Sequence, residues 1–320
     1  MPSDEHHVVD VPDIGARYRW IDDWVTIPNT PSGRENGRTN GIVVTADGHV
    51  VVFHQASPAV VTYDVTGAFH SAWGDHLAGA HGITLVTEGD REYLWLTDQY
   101  SGEVGKYTLD GTVVHRLERP DLPVYADKPF SPTWVAVNDA SAGGNGDIWV
   151  ADGYGTNLIH RYDASGTYQG SISGEEGTAG AFATPHAVWF EPIEGTPHLF
   201  IADNANRQIQ VYTQEGAFSG SFGNAYLTSP RHGVRWGAYR FVPELFGRIV
   251  VTDAAGEFVT SFGERVGARD EPGWPNQPLD GEARTTFNSS HAMAMDRDGS
   301  IYVVEWRLGG RIIKLESIAR

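Results

Sequence analysis

The 320-residue chain repeats one unit of about 40 residues six times, and this repetition limits the folds open to it. Each unit has an inner strand, a turn, a strand ending in an acidic residue, a second turn, a strand ending in an aromatic residue and a last strand after a glycine. Residues 186–223 show the unit most clearly, with the segments HAVWFEP and HLFIADNANRQIQVYTQEGAFSGSFG. The turn QEG is typical of a tight hairpin, and the short apolar run FIAD is typical of a strand buried on both faces.

Six such units predict an all-β protein, a six-bladed β-propeller whose repeats resemble the NHL type. The units begin at Asn40, His81, Trp134, His186, His232 and His291. The last unit stops after its third strand, so we expect residues 17–28 (RYRWIDDWVTIP), which are rich in aromatic and β-branched residues, to supply the fourth. That strand would close the ring and remove an open sheet edge. The expected organisation is a flexible tail over residues 1–15 and a single propeller over residues 16–320.

Composition narrows the classes of partner. The net charge of −18 argues against nucleic acid and anionic membranes, which both require a basic surface. There is no cysteine, which excludes disulfides, thiolate ligands and a cysteine nucleophile. The N-terminal segment MPSDEHHVVDVPD lacks the pattern of a secretory signal, and no apolar run approaches 18 residues. We therefore expect a cytoplasmic protein that acts on a small molecule and needs no obligate protein partner.

Residues at the mouths of the inner strands can converge on the propeller axis, and four of these six residues are histidines. His81 and His186 are 105 residues apart, as are His186 and His291, and each interval covers two blades. The three side chains therefore alternate around the ring, on blades 2, 4 and 6. Three imidazoles with one open position are typical of a catalytic zinc site. The pattern predicts a divalent metal, with zinc as the first choice; the alternative is a set of solvated side chains lining a wet channel.

Two other residues of the same ring each have more than one possible role. His232 could be a fourth ligand, a group behind the ligands or a substrate contact. Trp134 interrupts the histidine pattern and could form a wall of the pocket or plug the channel.

A second ring ends the second strand of each blade, and we expect its residues to cap turns between blades. Its members are His54, Asp98, Asp152, Asp203, Glu244 and Glu305. Tyr100 and Tyr154 follow this ring at matching positions, Arg307 has the same offset on blade 6, and Arg207 lies slightly further along blade 4. Tyr154 could act as a base or hydrogen-bond donor beside a metal, or pack over a blade edge. Arg207 and Arg307 could hold an anion, or form surface salt bridges.

At these residues the chain resembles peptidyl-hydroxyglycine amidating lyase, the lyase half of peptidylglycine amidating enzymes. That family is a six-bladed NHL-type propeller that holds zinc with three histidines and has a tyrosine beside the metal. The segments AHGITL, TPHAVWF and SSHAMAMDRDGSIYV resemble its ligand segments, which implies that His81, His186 and His291 bind the metal. The segment VADGYGTNLIHRY places Tyr154 at the catalytic tyrosine, and VVVFHQ, with His54 and Gln55, resembles the family's FHR segment.

The sequence departs from that family where an anion would be held. Gln55 stands in place of one functional arginine, and Gln208 stands in place of another, one residue after Arg207. Ala292 replaces an acidic calcium ligand, and the disulfides are absent. The resemblance therefore implies a retained metal site and a different substrate.

Three functions follow as hypotheses. The first is a metal-dependent lyase that cleaves a C–N or C–O bond of a small hydroxylated substrate, carbinolamide-like or β-hydroxy, with the metal as Lewis acid. Tyr154 would take or give a proton, with Arg307 or Arg207 holding an anionic group. Tyr100, Trp134, His232, Gln55 and His54 are the predicted substrate contacts. The second is a metal-dependent, lactonase-like hydrolase, and the third is a binding module without enzymatic activity.

Overall fold

Six antiparallel sheets surround a central axis in a computed structural model that describes residues 7–318. The six predicted blades are confirmed. The strands of blades 1 to 3 are β3–β6 (Thr39–Val44, Val50–His54, Val60–Tyr63, Phe69–Trp73), β7–β10 (Ala80–Glu88, Arg91–Asp98, Glu103–Thr108, Val113–Arg116) and β11–β14 (Trp134–Val137, Ile148–Asp152, Leu158–Tyr162, Tyr168–Ile172). The strands of blades 4 to 6 are β15–β18 (Pro185–Ile193, Thr196–Asp203, Gln208–Thr213, Phe218–Phe222), β19–β22 (Val234–Trp236, Tyr239–Glu244, Arg248–Asp253, Phe258–Phe262) and β23–β25 (Ser290–Met295, Ile301–Glu305, Ile312–Ser317).

Helical structure in the described chain is short. One α-helix, α1 (Pro31–Glu35), begins after Thr30, whose side chain accepts a hydrogen bond from the backbone N–H of Gly33 (3.1 Å). The remaining helices are single 3₁₀ turns at Pro12–Ile14, Pro123–Ala126, Ala140–Ala142, Ala268–Asp270 and Gly281–Thr285. No helix among residues 7–318 is long and apolar enough to cross a membrane.

The N-terminal segment belongs to blade 6. Strand β2 (Ala16–Val25) pairs antiparallel with β25, with Tyr18 opposite Ser317 and Trp20 opposite Leu315. The structure differs from the expected tail over residues 1–15, because Val8–Val11 form β1, which pairs with β2 and makes this blade five-stranded. Val11 is buried against the blade 5–blade 6 core, which explains why this segment is ordered as a strand. The first six residues of the expected tail lie outside the described chain.

Apolar side chains between neighbouring blades form the core. The second strand of blade 1, β4, is buried along its whole length, and the same holds for β12 in blade 3. Large side chains such as Trp149, Tyr162 and Tyr212 fill the space between sheets. The inner strands of neighbouring blades contact each other around the axis, as β3 does with β7 and β23. This packing fixes the mutual positions of residues that are far apart in sequence.

The acidic residues of the second ring cap turns, as predicted. Asp98 accepts hydrogen bonds from the backbone N–H groups of Gly79 (2.8 Å), Tyr100 (2.9 Å) and Ser101 (2.9 Å). Equivalent bonds run from Ser131 to Asp152, from Ala183 to Asp203, from Ser229 to Glu244 and from Ser289 to Glu305. Each carboxylate thus binds the loop that enters the inner strand of its own blade. These bonds fix the position, along the propeller axis, of the residue at the mouth of that strand.

Candidate metal centre

The three predicted ligands each lie at a register shift where an inner strand begins. The ladder between first and second strands is interrupted around His81, around His186 and around His291. Such bulges re-aim a side chain that regular pairing would direct elsewhere. Here they turn three imidazoles toward the axis from blades 2, 4 and 6.

The imidazoles of His81, His186 and His291 converge. One nitrogen from each lies within 4.8 Å of the other two, and all three residues are buried. Ring centroids are 4.8 Å apart for His81 and His186, 4.9 Å for His81 and His291, and 4.6 Å for His186 and His291. Histidines 105 residues apart thus form one cluster with approximate threefold symmetry.

Backbone carbonyls of the intervening blades fix the orientation of each ring. Nδ1 of His81 donates to the carbonyl of Thr133 (2.6 Å), Nδ1 of His186 donates to Arg231 (2.9 Å), and Nδ1 of His291 donates to Asn40 (2.7 Å). A carbonyl oxygen can only accept, so each Nδ1 carries the proton and each Nε2 presents its lone pair. This arrangement is typical of metal-binding histidines.

The spacing of two of the ring nitrogens fits a small divalent cation. Nε2 of His186 lies 3.2 Å from Nε2 of His291. Zinc binds imidazole nitrogen at about 2.0–2.1 Å, so two nitrogens on one tetrahedral ion lie about 3.3 Å apart. Since neither Nε2 carries a proton in the neutral rings, the two lone pairs repel unless a cation lies between them. The donor set therefore fits zinc or a similar ion.

Burial keeps the three rings neutral and ready to bind a cation. Burial lowers the pKa of His81 to about 3, and it lowers the pKa values of His186 and His291 well below their usual range. The positive charge of Arg231 lowers all three pKa values further. A metal at this position would therefore compete with few protons at neutral pH.

Tyr154 lies at the edge of the cluster. Its hydroxyl is 3.2 Å from Nε2 of His81, and its ring lies edge-on to that imidazole at 5.0 Å. The side chain is 40% exposed, so Tyr154 contacts both the buried cluster and solvent. Gly153 makes this approach possible, because a Cβ there would lie 2.1 Å from the carbonyl oxygen of Pro185.

Arg231 is a functional candidate that sequence reasoning missed. It is 8% exposed, and its charge acts on all three histidines and on Tyr154. Its one sequence signal is its place directly before His232, in the loop that enters the inner strand of blade 5. That place could not show which way the side chain points.

The structure separates His232 and Trp134 from the cluster of converging ligands. His232 is outside the group of converging nitrogens and instead stacks on Trp134, with ring centroids 4.8 Å apart and an interplanar angle of 27°. Trp134 is 1% exposed and lies edge-on to His81 at 6.4 Å. Both rings line a cavity of about 510 Å³ that continues along the inner strands past Ile83 and Met293. Trp134 therefore lies against His81 and also lines this channel, whereas none of the three histidines lines it.

The remaining predicted substrate contacts differ in how far their side chains are exposed to solvent. Gln55 is buried and donates to the carbonyl of Ala80 (3.5 Å), directly before His81. His54 is fully buried, and burial lowers its pKa to about 4. Tyr100 is 67% exposed, and its backbone N–H binds Asp98. Their predicted contact with substrate stays a prediction.

The two arginines predicted to hold an anion make their contacts outside the histidine cluster. Arg207 is exposed, with φ of 57°, in a depression shared with Arg248 and Arg265. Arg307 donates to the carbonyl of Gln277 (3.1 Å). Within residues 7–318, neither arginine has a hydrogen bond or ion pair with the three histidines or Tyr154. Their catalytic role stays a prediction, and Arg231 is the guanidinium that the structure brings to the cluster.

Comparison with curated proteins confirms the resemblance inferred from the sequence. NHL repeat-containing protein 3 of Homo sapiens is 27% identical over 201 residues, covering 59% of this chain and 56% of that protein. A probable peptidyl-alpha-hydroxyglycine alpha-amidating lyase of Caenorhabditis elegans is 27% identical over 208 residues, covering 56% and 57%. Peptidyl-alpha-hydroxyglycine alpha-amidating lyase 1 of Drosophila melanogaster is 29% identical over 202 residues, covering 59% and 34%. The chain spans about half or less of the length of these relatives. No protein-family model matches it.

Solved structures share the fold over nearly the whole chain. A streptogramin B lyase superposes with a TM-score of 0.58 at 15% identity, covering 94% of this chain and 98% of that one. A structural genomics protein of unknown function from Bacteroides thetaiotaomicron gives a TM-score of 0.61 at 12% identity, covering 93% and 72%. At these identities the similarity shows the propeller fold alone.

Proposed function

We propose that this protein is a metal-dependent lyase that cleaves a C–N or C–O bond of a small hydroxylated substrate. The observation that carries the proposal is the convergence of three proton-free Nε2 atoms, with the hydroxyl of Tyr154 beside one of them. The amidating lyases among its relatives support the same class of reaction.

The chain's own residues supply binding and proton transfer. His81, His186 and His291 would hold the ion, and the carbonyls behind them keep the rings from rotating. A bound divalent ion, with zinc as the first choice, would supply Lewis acidity to a substrate oxygen. Tyr154 gives or takes a proton at its phenolic oxygen, from a position open to solvent on one side and to the cluster on the other. Trp134 separates the histidines from the channel behind them.

Metal content of the purified protein is the first test. We expect one equivalent of zinc or a similar ion in the wild type, and its loss in His186→Ala with the propeller still folded. His198→Ala is the matched control, because this histidine lies on the same blade, outside the cluster. A wild type that holds no metal after incubation with zinc would refute the proposal and favour a non-enzymatic binding module.

Turnover is the second test. A panel of N-acyl carbinolamides and β-hydroxy compounds is incubated with the zinc-loaded protein in ¹⁸O-labelled water. Elimination gives an unlabelled amide from a carbinolamide, or an unlabelled alkene from a β-hydroxy compound. One labelled oxygen in a carboxylic acid product would instead indicate the hydrolase, and label in a released aldehyde is disregarded because aldehydes exchange their oxygen with water.

A further inference from the structure

Arg231 is a buried arginine. Its Nε is buried and makes no hydrogen bond, and none of the acidic side chains that the structure describes lies at ion-pair distance from it. Two other buried arginines show the usual arrangement. Arg240 binds Glu191 through Nε (2.9 Å) and a terminal nitrogen (2.7 Å), and Arg311 binds Glu305 (3.0 Å) and Asp22. Burying a guanidinium without a counter-ion is unfavourable, so its presence at this point requires a reason.

The position of Arg231 indicates what its partner must contact. Its backbone carbonyl orients His186, while its charge acts on all three histidines and its guanidinium lies beside the Tyr154 hydroxyl. A divalent ion at the histidines would repel this guanidinium. An anion between the two would interact favourably with both charges and would supply the missing hydrogen-bond acceptor.

We propose that Arg231 binds a carboxylate of the substrate, next to the group that faces the three histidines. This inference rests on the proposed function and names its substrate class, a small carboxylic acid. A monoanion fits better than a phosphate dianion, because Arg231 has the largest effect on these histidines among the lysines and arginines of the described chain. A planar guanidinium also matches the two oxygens of a carboxylate. This arginine belongs to blade 5, whereas the sequence pattern predicts Arg207 and Arg307, on blades 4 and 6, as the residues that hold an anion.

Calorimetric titration of the zinc-loaded, full-length protein with acetate, and with acetamide as its neutral counterpart, tests the inference. We expect Arg231→Gln to weaken acetate binding by at least about tenfold and to leave acetamide binding unchanged. Arg231→Lys keeps the positive charge but lacks the planar guanidinium that can bind both carboxylate oxygens, so it should bind acetate with intermediate affinity. Arg207→Gln should bind acetate like the wild type.

Zinc content and thermal unfolding of each variant, measured in parallel, separate the outcomes. Zinc-loaded, folded Arg231→Gln and Arg231→Lys that both bind acetate with wild-type affinity would overturn the inference and leave the proposed function standing. Loss of acetate binding in Arg207→Gln instead would also overturn it. A wild type that holds no zinc but binds acetate in an Arg231-dependent manner would support the anion site and refute the metal-dependent lyase.

Discussion

Replacing Gly153 with alanine tests whether the contact between blades 3 and 4 positions the site. The added Cβ would lie 2.1 Å from the carbonyl oxygen of Pro185 and 2.8 Å from Oγ1 of Thr133. Real Cβ atoms do not approach other atoms closer than 3.0 Å, so Gly153 and Pro185 must separate by about 0.9 Å. Tyr154 directly follows Gly153, and His186 directly follows Pro185. The separation therefore moves Tyr154 and His186 apart, on opposite sides of the candidate metal centre.

A shift of this size has two expected consequences. Displacing a catalytic group by about 1 Å lowers the rate about 100-fold, and disturbing the support of a ligand weakens metal binding about 10- to 100-fold. Overpacking also lowers the free energy of unfolding by about 1–3 kcal/mol. Zinc affinity is measured by competition with a chelator, turnover by product formation, and stability by urea unfolding.

Gly220→Ala is the matched control, because a Cβ at that position meets no atom within 4 Å and its backbone is not left-handed. It should change neither zinc affinity nor rate. Wild-type zinc affinity and turnover in Gly153→Ala would refute the argument that close packing at this glycine sets the distance from Tyr154 to His186.

Three other predictions concern single side chains. Tyr154→Phe should lower kcat about 100- to 10,000-fold while zinc content stays at one equivalent, and an unchanged kcat would exclude the hydroxyl from proton transfer. His160 is fully buried between the hydroxyls of Tyr125 and Ser171, and burial lowers its pKa to about 4. The folded protein therefore keeps this ring neutral while the unfolded chain is protonated below about pH 6.5, so the unfolding free energy should fall as the pH drops from about 6.5 toward 4. Urea unfolding across this range should show a smaller fall in His160→Gln, and an identical slope would contradict the assignment. Glu191→Gln should destabilise the fold by about 3–5 kcal/mol, because it leaves Arg240 charged and buried without its ion-pair partner. In urea unfolding, a double variant with leucine at both positions should lose less stability than the single variant.

Much of the architecture could be predicted from the repeat alone. The recurring four-strand unit determined the number of blades, and the equal spacing of His81, His186 and His291 placed them on alternate blades. The acidic turn caps were predictable for the same reason, since each depends on contacts inside one blade and its entry loop. The N-terminal strand β1 escaped prediction because its pairing partner, β2, is itself held in place by the C-terminal strand β25.

Only the tertiary structure decided how the candidate site is assembled. The carbonyls that orient the three histidines come from blades 1, 3 and 5, so the choice of the exposed nitrogen depends on residues 45 to 251 positions away in sequence. The same packing turns His232 toward Trp134 and brings Arg231 to the cluster, although the two residues are adjacent in sequence. Sequence periodicity determines which residues reach the axis, because each blade folds by local pairing. The direction of each side chain is set by contacts between blades, and these exist only once the ring is closed.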